Sequence, residues 1–297
     1  MKIAILTGGT SSEREIALKS AETVIGLLGS SEVQRYDFPN ELDRFLSERD
    51  EIDVAIPVFH GRGGEDGTIQ GFLETLNLPY IFSSVVAHAL AMDKAKTKLV
   101  VSAVGVKTPA SRVIRRGDVV SFEGPAAIKP MDGGSSVGVS IAHDSESFAR
   151  GIAEGLTHGE SVLVETFIQG DEFTVAIIEE EGRSLALPVI QIKSKNAFFD
   201  VESKYDPALA EEICPALISE DLTKRLQDAA LLAHQSVGAR HVSRSDFIVD
   251  RDGVVWFLEI NTIPGMTSAS LLPKAIAAAG KDFGTVLRGW IDSAARN

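Results

Sequence analysis

The chain has 297 residues, 44% of them hydrophobic and 24% charged, with 29 Lys and Arg against 42 Asp and Glu for a formal net charge of −13. At about 150 residues per domain that is roughly two domains' worth of chain, enough to bury a core without disulfides, and the single cysteine, Cys214, excludes an internal disulfide or a multi-thiolate zinc site. The acid excess, without any Lys/Arg block, argues against nucleic acid or an anionic membrane surface as partner, so small-molecule chemistry is the default expectation.

The N-terminus offers only Ile3 to Leu6 as an apolar run, shorter than the ~7 residues of a signal-peptide core. The longest uncharged stretch, Thr75 to Met92, contains Asn77, Pro79, Ser83, Ser84 and His88, unsuited to a bilayer centre. A cytoplasmic protein is expected.

Lys2 to Leu6 reads as a strand and Gly8-Gly9-Thr10 as a turn. Ser12 and Glu15 then have capping-box spacing for a helix carrying Ala17, Ala21, Val24, Ile25 and Leu28 on one side. Asp53 to Phe59 is a nearly continuous apolar run, as in a strand buried on both faces, and after HGRGGEDG a helix presents Ile69, Phe72, Leu73 and Leu76. Strand, turn and helix repeated in this way predict a doubly wound parallel-sheet unit.

Beyond a helix around Lys94 to Val104 the rhythm changes. Short strands are predicted near Ala126 to Lys129, Ser161 to Glu165 and Glu172 to Ile178, with helices at Ser145 to Gly155 and Leu222 to Val237. EEEGRS (179–184) and DRDG (250–253) read as hairpin turns. This half is expected to be mixed, largely antiparallel α+β.

The segment HVSRSDFIVDRDGVVWFLEIN fixes a register that can be checked. With Asp252-Gly253 as a two-residue loop, Phe247 pairs with Leu258, Val249 with Trp256 and Ser245 with Ile260 on an apolar face. On the other face Asp246 lies opposite Glu259 and Arg244 opposite Asn261. Two opposed carboxylates repel, so either this is a solvated hairpin face or a cation sits between them. The all-oxygen set Asp246, Glu259 and Asn261 suits Mg²⁺, and Arg244 is placed for a transferring phosphoryl group or an oxyanion.

MDGGSSVG (131–138) after Lys129-Pro130 is small enough to let backbone N–H groups approach phosphate, although taken alone it reads first as a glycine-serine surface turn; neither GxxxxGK[ST] nor GxGxxG occurs. HGRGGEDG and GGTSSERE lie where an α/β sheet places ligands, past strand C-terminal ends. Alone, Glu13 reads as a helix-dipole acid, His60 as a strand-end histidine, and Lys94 and Lys204 as surface charges.

In order, GGTSSERE, HGRGGEDGTIQG, AMDKAKTK, GGSSVGVS, VETFIQGDEFTV, ESKYD, ICPA, SRSDF and LEINTIPGMTSASLLP resemble the D-alanine:D-alanine ligase family of the ATP-grasp superfamily, over residues 3–285. The resemblance implies an N-terminal α/β domain (1–89) holding the first D-alanine, followed by an ATP-grasp pair of α+β domains (90–167 and 168–297). It implies that ATP phosphorylates the carboxylate of one D-alanine and the amine of a second attacks the acyl phosphate, supplying peptidoglycan precursor.

By resemblance, Lys94 and Lys129 contact the ATP phosphates, Ser136, Val137 and Gly138 belong to the covering loop, and Glu165 with the backbone of Thr166 and Ile168 holds the adenine. Glu172 takes the ribose, and Phe198 and Lys204 close over the nucleotide. Asp246, Glu259 and Asn261 match a site for two Mg²⁺ (or Mn²⁺), and Arg244 and Gly265 stabilise the acyl phosphate and tetrahedral intermediate. Glu13 orients the first amine, linked through Ser135 to Tyr205 with His60 nearby, and Ser270 and Leu271 receive the second carboxylate. A homodimer is the family expectation. Tyr205 resembles the D-Ala-D-Ala branch. Asp132-Gly133 departs from the family pattern, and departures at IFSS (81–84) and at Asp206 keep a relative using D-lactate, D-serine or another second substrate as the alternative; a nucleotide-binding relative without turnover is a third reading, disfavoured because Arg244, Asp246, Glu259 and Asn261 are all present.

Overall fold

The computed structural model describes the chain except residues 30–31, 132–137, 195–209 and 297. Strand β1 (Ile3–Gly8) is flanked by β2 (Val33–Phe38) and β3 (Val54–Val58) in a parallel three-stranded sheet of order β2-β1-β3. Every residue of β1 and β3 is buried, which accounts for the unbroken apolar runs. Helices α1 (Arg14–Leu28), α2 (Leu42–Glu48) and α3 (Thr68–Thr75) complete this layer pair. The expected Ser12/Glu15 capping box is not formed. Helix α1 begins one turn position later with Glu13 at its N-cap, because the Ser11 hydroxyl accepts the Glu13 N–H (3.2 Å) and donates to the His60 carbonyl (2.7 Å), tying the turn to the neighbouring loop instead.

Helices α4 (Val85–Met92) and α5 (Lys94–Ala103) lead to a four-stranded antiparallel sheet of order β4-β7-β5-β6, made of β4 (Ser111–Arg115), β5 (Ala126–Pro130), β6 (Ser140–Ala142) and β7 (Ser161–Thr166), with α6 (Ser145–Gly155) on one face. Asp144 and Ser147 form a reciprocal cap, which starts α6 where its apolar spacing predicts. The third sheet runs β11-β10-β8-β12-β13: β8 (Gly170–Glu180), β10 (Ile190–Ser194), β11 (Ala210–Ile213), β12 (Val242–Asp250) and β13 (Val255–Asn261), with β9 (Arg183–Ala186) also paired to β8. Glu181 (φ +50°) and Gly182 (φ +75°) make the two-residue β8–β9 turn.

Helix α7 (Glu220–Val237) and α5 pack on Phe173, Val175, Phe247 and Phe257 of this sheet. The closing helices α8 (Leu271–Ala278) and α9 (Phe283–Ala294) return to the first sheet, where Leu272, Leu287 and Trp290 share one core with Ile3, Ile5 and Ile56. The two ends of the chain are thus joined through a common apolar cluster, and the strand ends bearing GGTSSERE and HGRGGEDG are brought to the β12–β13 edge. Among the described residues no helix is long and apolar enough to cross a membrane.

Candidate active site

Strands β12 and β13 pair Arg244 with Asn261, Ser245 with Ile260 and Asp246 with Glu259, as the hairpin pattern predicts. Beyond Asp246 the register shifts: Phe247 faces Phe257, Ile248 faces Trp256 and Val249 faces Val255. The predicted partners Leu258 and Trp256 are corrected accordingly. The loop has three residues, 251–253, with Gly253 at φ +75° donating to the Asp250 carbonyl (3.0 Å), rather than two. The Asp250 carboxylate organises it, accepting from Asp252 N–H, Val254 N–H and Trp256 Nε1. The extra residue, Leu258, is a bulge that returns Glu259 to the face of Asp246.

On that face Asp246 is buried. Its Oδ1 accepts from Thr174 Oγ1 (2.6 Å) and Arg244 Nε (3.1 Å), and its Oδ2 from Arg244 Nη2 (3.1 Å). Burial works against the Arg244 cation, but Asp246, Glu259 and Glu65 outweigh it and raise its affinity for its proton above the ordinary value. Lys94 Nζ lies 3.7 Å from Glu259 Oε2. Among the described residues no three His, Cys, Asp or Glu side chains cluster as a metal site; the oxygen donors here are two carboxylates and the Asn261 amide, whose Oδ1 also accepts the Ile263 N–H (2.8 Å). Asp246 Oδ2 and Asn261 Oδ1 each accept one hydrogen bond and keep a second lone pair, so the set fits a hard cation that keeps several waters.

Lys129 on β5 reaches Glu165 on β7, Nζ to Oε2 at 2.8 Å, and Lys98 on α5 reaches the other oxygen at 2.7 Å. Lys129 is also attracted by Glu259 and Glu172, which joins the middle sheet to the β12–β13 edge. Glu172 lies on β8 opposite Ile248. The Thr166 N–H is taken by the Ala110 carbonyl (2.9 Å), and Ile168 lies half-buried beyond the strand end. Gly138 has φ +70°, and a Cβ there would meet His158 and Pro130 at 2.8 Å. Ser135, Ser136, Val137, Phe198, Lys204 and Tyr205, with the departures Asp132, Gly133 and Asp206, lie outside the described residues.

From the first sheet, Gly61 (φ +74°) packs so closely on Glu13 that a Cβ would stand 2.8 Å from Glu13 Oε2. His60 is buried, its Nε2 3.1 Å from Ser20 Oγ, and burial, reinforced by the Arg244 charge, pushes its imidazole down to about 4, so it is neutral at pH 7. In the third sheet region Gly265 sits over Ser270, whose Oγ is 2.8 Å from Thr267 Oγ1 at the start of α8, with Leu271 as the first helical residue. Helix N-termini of this kind favour an anion.

Two residues escape the sequence reading. Glu65, inside HGRGGEDG, accepts the Gly61 N–H (2.6 Å) and interacts with Glu13, Arg244 and Glu259; burial first, then the neighbouring carboxylates, raise it to about 8. Lys98, inside AMDKAKTK, is 3% exposed. Both lie in quoted motifs, but their placement beside other charges comes from chain segments far away in sequence.

A parallel-sheet domain feeding two antiparallel sheets, with lysines and carboxylates converging where the three meet, defines an ATP-grasp ligase. Residues 31–83 match the D-ala D-ala ligase N-terminus family and residues 107–292 the D-ala D-ala ligase C-terminus family. The chain belongs to the D-alanine–D-alanine ligase family. It is 43% identical to the D-alanine–D-alanine ligase of Desulfotalea psychrophila, over 97% of this chain and 92% of that one. Among solved structures, the ATP complex of the Bacillus anthracis D-alanine–D-alanine ligase superposes with a TM-score of 0.85 at 31% identity, covering 100% of this chain and 97% of that one. A D-Ala:D-Ser ligase from Enterococcus faecalis superposes at 0.82 with 27% identity, covering 98% of each chain.

Proposed function

We propose that the protein joins two D-alanines to D-alanyl-D-alanine with ATP cleaved to ADP and phosphate, for peptidoglycan precursor synthesis. The observation that carries this reading is the convergence of Arg244, Asp246, Glu259 and Lys94 on one sheet edge, within electrostatic reach of Lys129 and Glu65. The carboxylate of the first D-alanine, its ammonium held by Glu13, attacks the γ-phosphorus and releases ADP. The acyl phosphate provides the leaving group that a bare carboxylate lacks. The free amine of the second D-alanine, its carboxylate received at Ser270 and Leu271, then adds to the acyl carbon. Arg244 and the Gly265 N–H meet the developing oxyanion, and as it collapses the acyl C–O bond to phosphate breaks and the nitrogen gives up a proton to the departing phosphate, leaving the peptide bond.

Lys94 and Lys129 hold the nucleotide's phosphates, Glu165, Thr166 and Ile168 its adenine and Glu172 its ribose, with Gly138 in the covering loop. Asp246, Glu259 and Asn261 would hold two Mg²⁺ (or Mn²⁺), which when bound neutralise the phosphate charge. The roles of Ser135, Ser136, Val137, Phe198, Lys204 and Tyr205 rest on the family pattern. Domain limits near residues 90 and 168, a homodimer and a cytoplasmic site without nucleic-acid or membrane partners complete the proposal.

The D-Ala:D-Ser neighbour keeps a second reading in view, in which another acceptor takes the second site. The test is ADP release with ATP and Mg²⁺ across D-alanine, L-alanine, D-lactate and D-serine, with mass spectrometry of the products. D-alanine-dependent release yielding D-Ala-D-Ala is expected. A preferred mixed product would move the assignment to the second reading, and ATP binding without any stimulated release would remove both.

A further inference from the structure

Glu165 is 2% exposed, and its two oxygens face different lysines. Lys129 stands at the cleft. Lys98 does not: its side chain is 4% exposed, its Nζ lies 2.7 Å from Oε1, and the ammonium also points at the Phe257 carbonyl of β13, 3.5 Å away. Burial opposes ionisation of Glu165, but the two ammonium groups outweigh it and hold its carboxyl below the usual range. They respond differently to that place. Burial lowers Lys98 despite Glu165, whereas Lys129, drawn also by Glu259 and Glu172, is raised.

If Lys129 turns to the nucleotide's phosphates when ATP is bound, its hold on Glu165 weakens. Its departure would leave Oε2 an unpaired buried acceptor, which is costly unless a new donor replaces it. The exocyclic 6-amino group of adenine is such a donor. We propose that Lys98 is a positioning residue for the nucleotide: anchored on Oε1, it holds the Glu165 carboxylate in place while Oε2 exchanges the Lys129 ammonium for the adenine 6-amino group. Lys98 touches no substrate and acts through Glu165. Its contact with Phe257 ties this anchor to the strand that carries Glu259, so adenine recognition and the phosphate end of the cleft share one support. The inference rests on the proposed adenine role of Glu165.

The test compares ATP with purine riboside triphosphate, which lacks the 6-amino group, at saturating Mg²⁺ and D-alanine. A hydrogen bond to a charged acceptor predicts that the wild type favours ATP in KM by about 10-fold or more. In Lys98→Met, which keeps an apolar stem of similar length, the KM for ATP should rise about 10-fold. The KM for purine riboside triphosphate and for D-alanine should stay near wild type, so the preference collapses. Lys98→Leu, which likewise offers no donor to Oε1, provides the same readout should the Met variant not fold. Lys129→Met should weaken both nucleotides equally and leave the preference standing. An unaltered preference in both Lys98 variants, or equal loss for both nucleotides, would mean that Lys98 only balances a buried charge. If the wild type itself shows no preference, the adenine role of Glu165 fails, and this inference with it.

Discussion

Asp246 stands directly opposite Glu259 across β12 and β13, and one inserted residue makes this compatible with the core behind them. Without the bulge at Leu258, the register set by the three-residue loop would place Leu258 opposite Asp246 and turn Glu259 toward Phe247, Phe257 and α7, an apolar layer. With it, the outer half of the hairpin buries the edge-to-face pair Phe247–Phe257, ring centroids 5.9 Å apart, while the inner half presents two carboxylates to the cleft.

This register makes neighbouring residues unequal. Phe257→Ala should cost about 3–5 kcal/mol in denaturant unfolding, since Phe257 is fully buried, whereas Leu258→Ala should cost less than about 2 kcal/mol because its side chain keeps solvent contact. Equal costs would contradict the bulge.

Removing one charge from the opposed pair separates function from folding. Glu259→Gln should lower turnover at least about 100-fold while the protein stays folded, relieved of a like-charge repulsion. Thermal melts with and without Mg²⁺ give a second readout: the wild type should be stabilised by the ion through mass action and the variant much less. Normal turnover in this variant would remove the hairpin from the mechanism.

Gly61 is required by its surroundings rather than by its own flexibility alone. Gly61→Ala adds strain at φ +74° and drives a methyl into the Glu13 carboxylate, 2.8 Å away. The KM for D-alanine should rise while the KM for ATP, set by Lys94, Lys129, Glu165 and Glu172 on other elements, stays close to wild type. A rise in both, in initial-rate kinetics, would detach Glu13 from substrate binding.

Acid sensitivity should trace to histidines buried neutral. His241 Nδ1 accepts the Phe82 N–H (2.9 Å), and its own backbone N–H donates to Glu179 (2.7 Å). Burial, helped by Arg240 and His234 and opposed by Glu179, pushes the imidazole down to about 4. An unfolded histidine titrates near 6.5, so between these values the unfolded chain binds the extra proton. Stability therefore falls as pH drops from about 6.5 to about 4, by up to about 3 kcal/mol for one such group. His241→Asn tolerates the backbone at φ +64°. It should be less stable at pH 7 yet lose less on acidification, with a residual slope from His60 and His88, which burial also lowers. Parallel pH profiles in melting experiments would assign the acid sensitivity elsewhere.

The amino-acid sequence by itself determined the alternation of the first 90 residues, the limits of α6 and the pairing of Asp246 with Glu259 and Arg244 with Asn261, because apolar period, caps and turn residues act within one or two elements. It also supplied the ordered motifs that mark the family. Only the tertiary structure decided the bulge at Leu258, the start of α1 at Arg14 instead of a Ser12 cap, the entry of Glu65 into the charged cleft and the burial of Lys98 against Glu165 behind it. Each of these depends on a partner far away in sequence: the core that Phe257 must reach, the His60 carbonyl that claims Ser11, and carboxylates brought together from three sheets. Burial and the field of neighbouring charges are properties of the assembled chain, so neither can be read from a residue and its spacing.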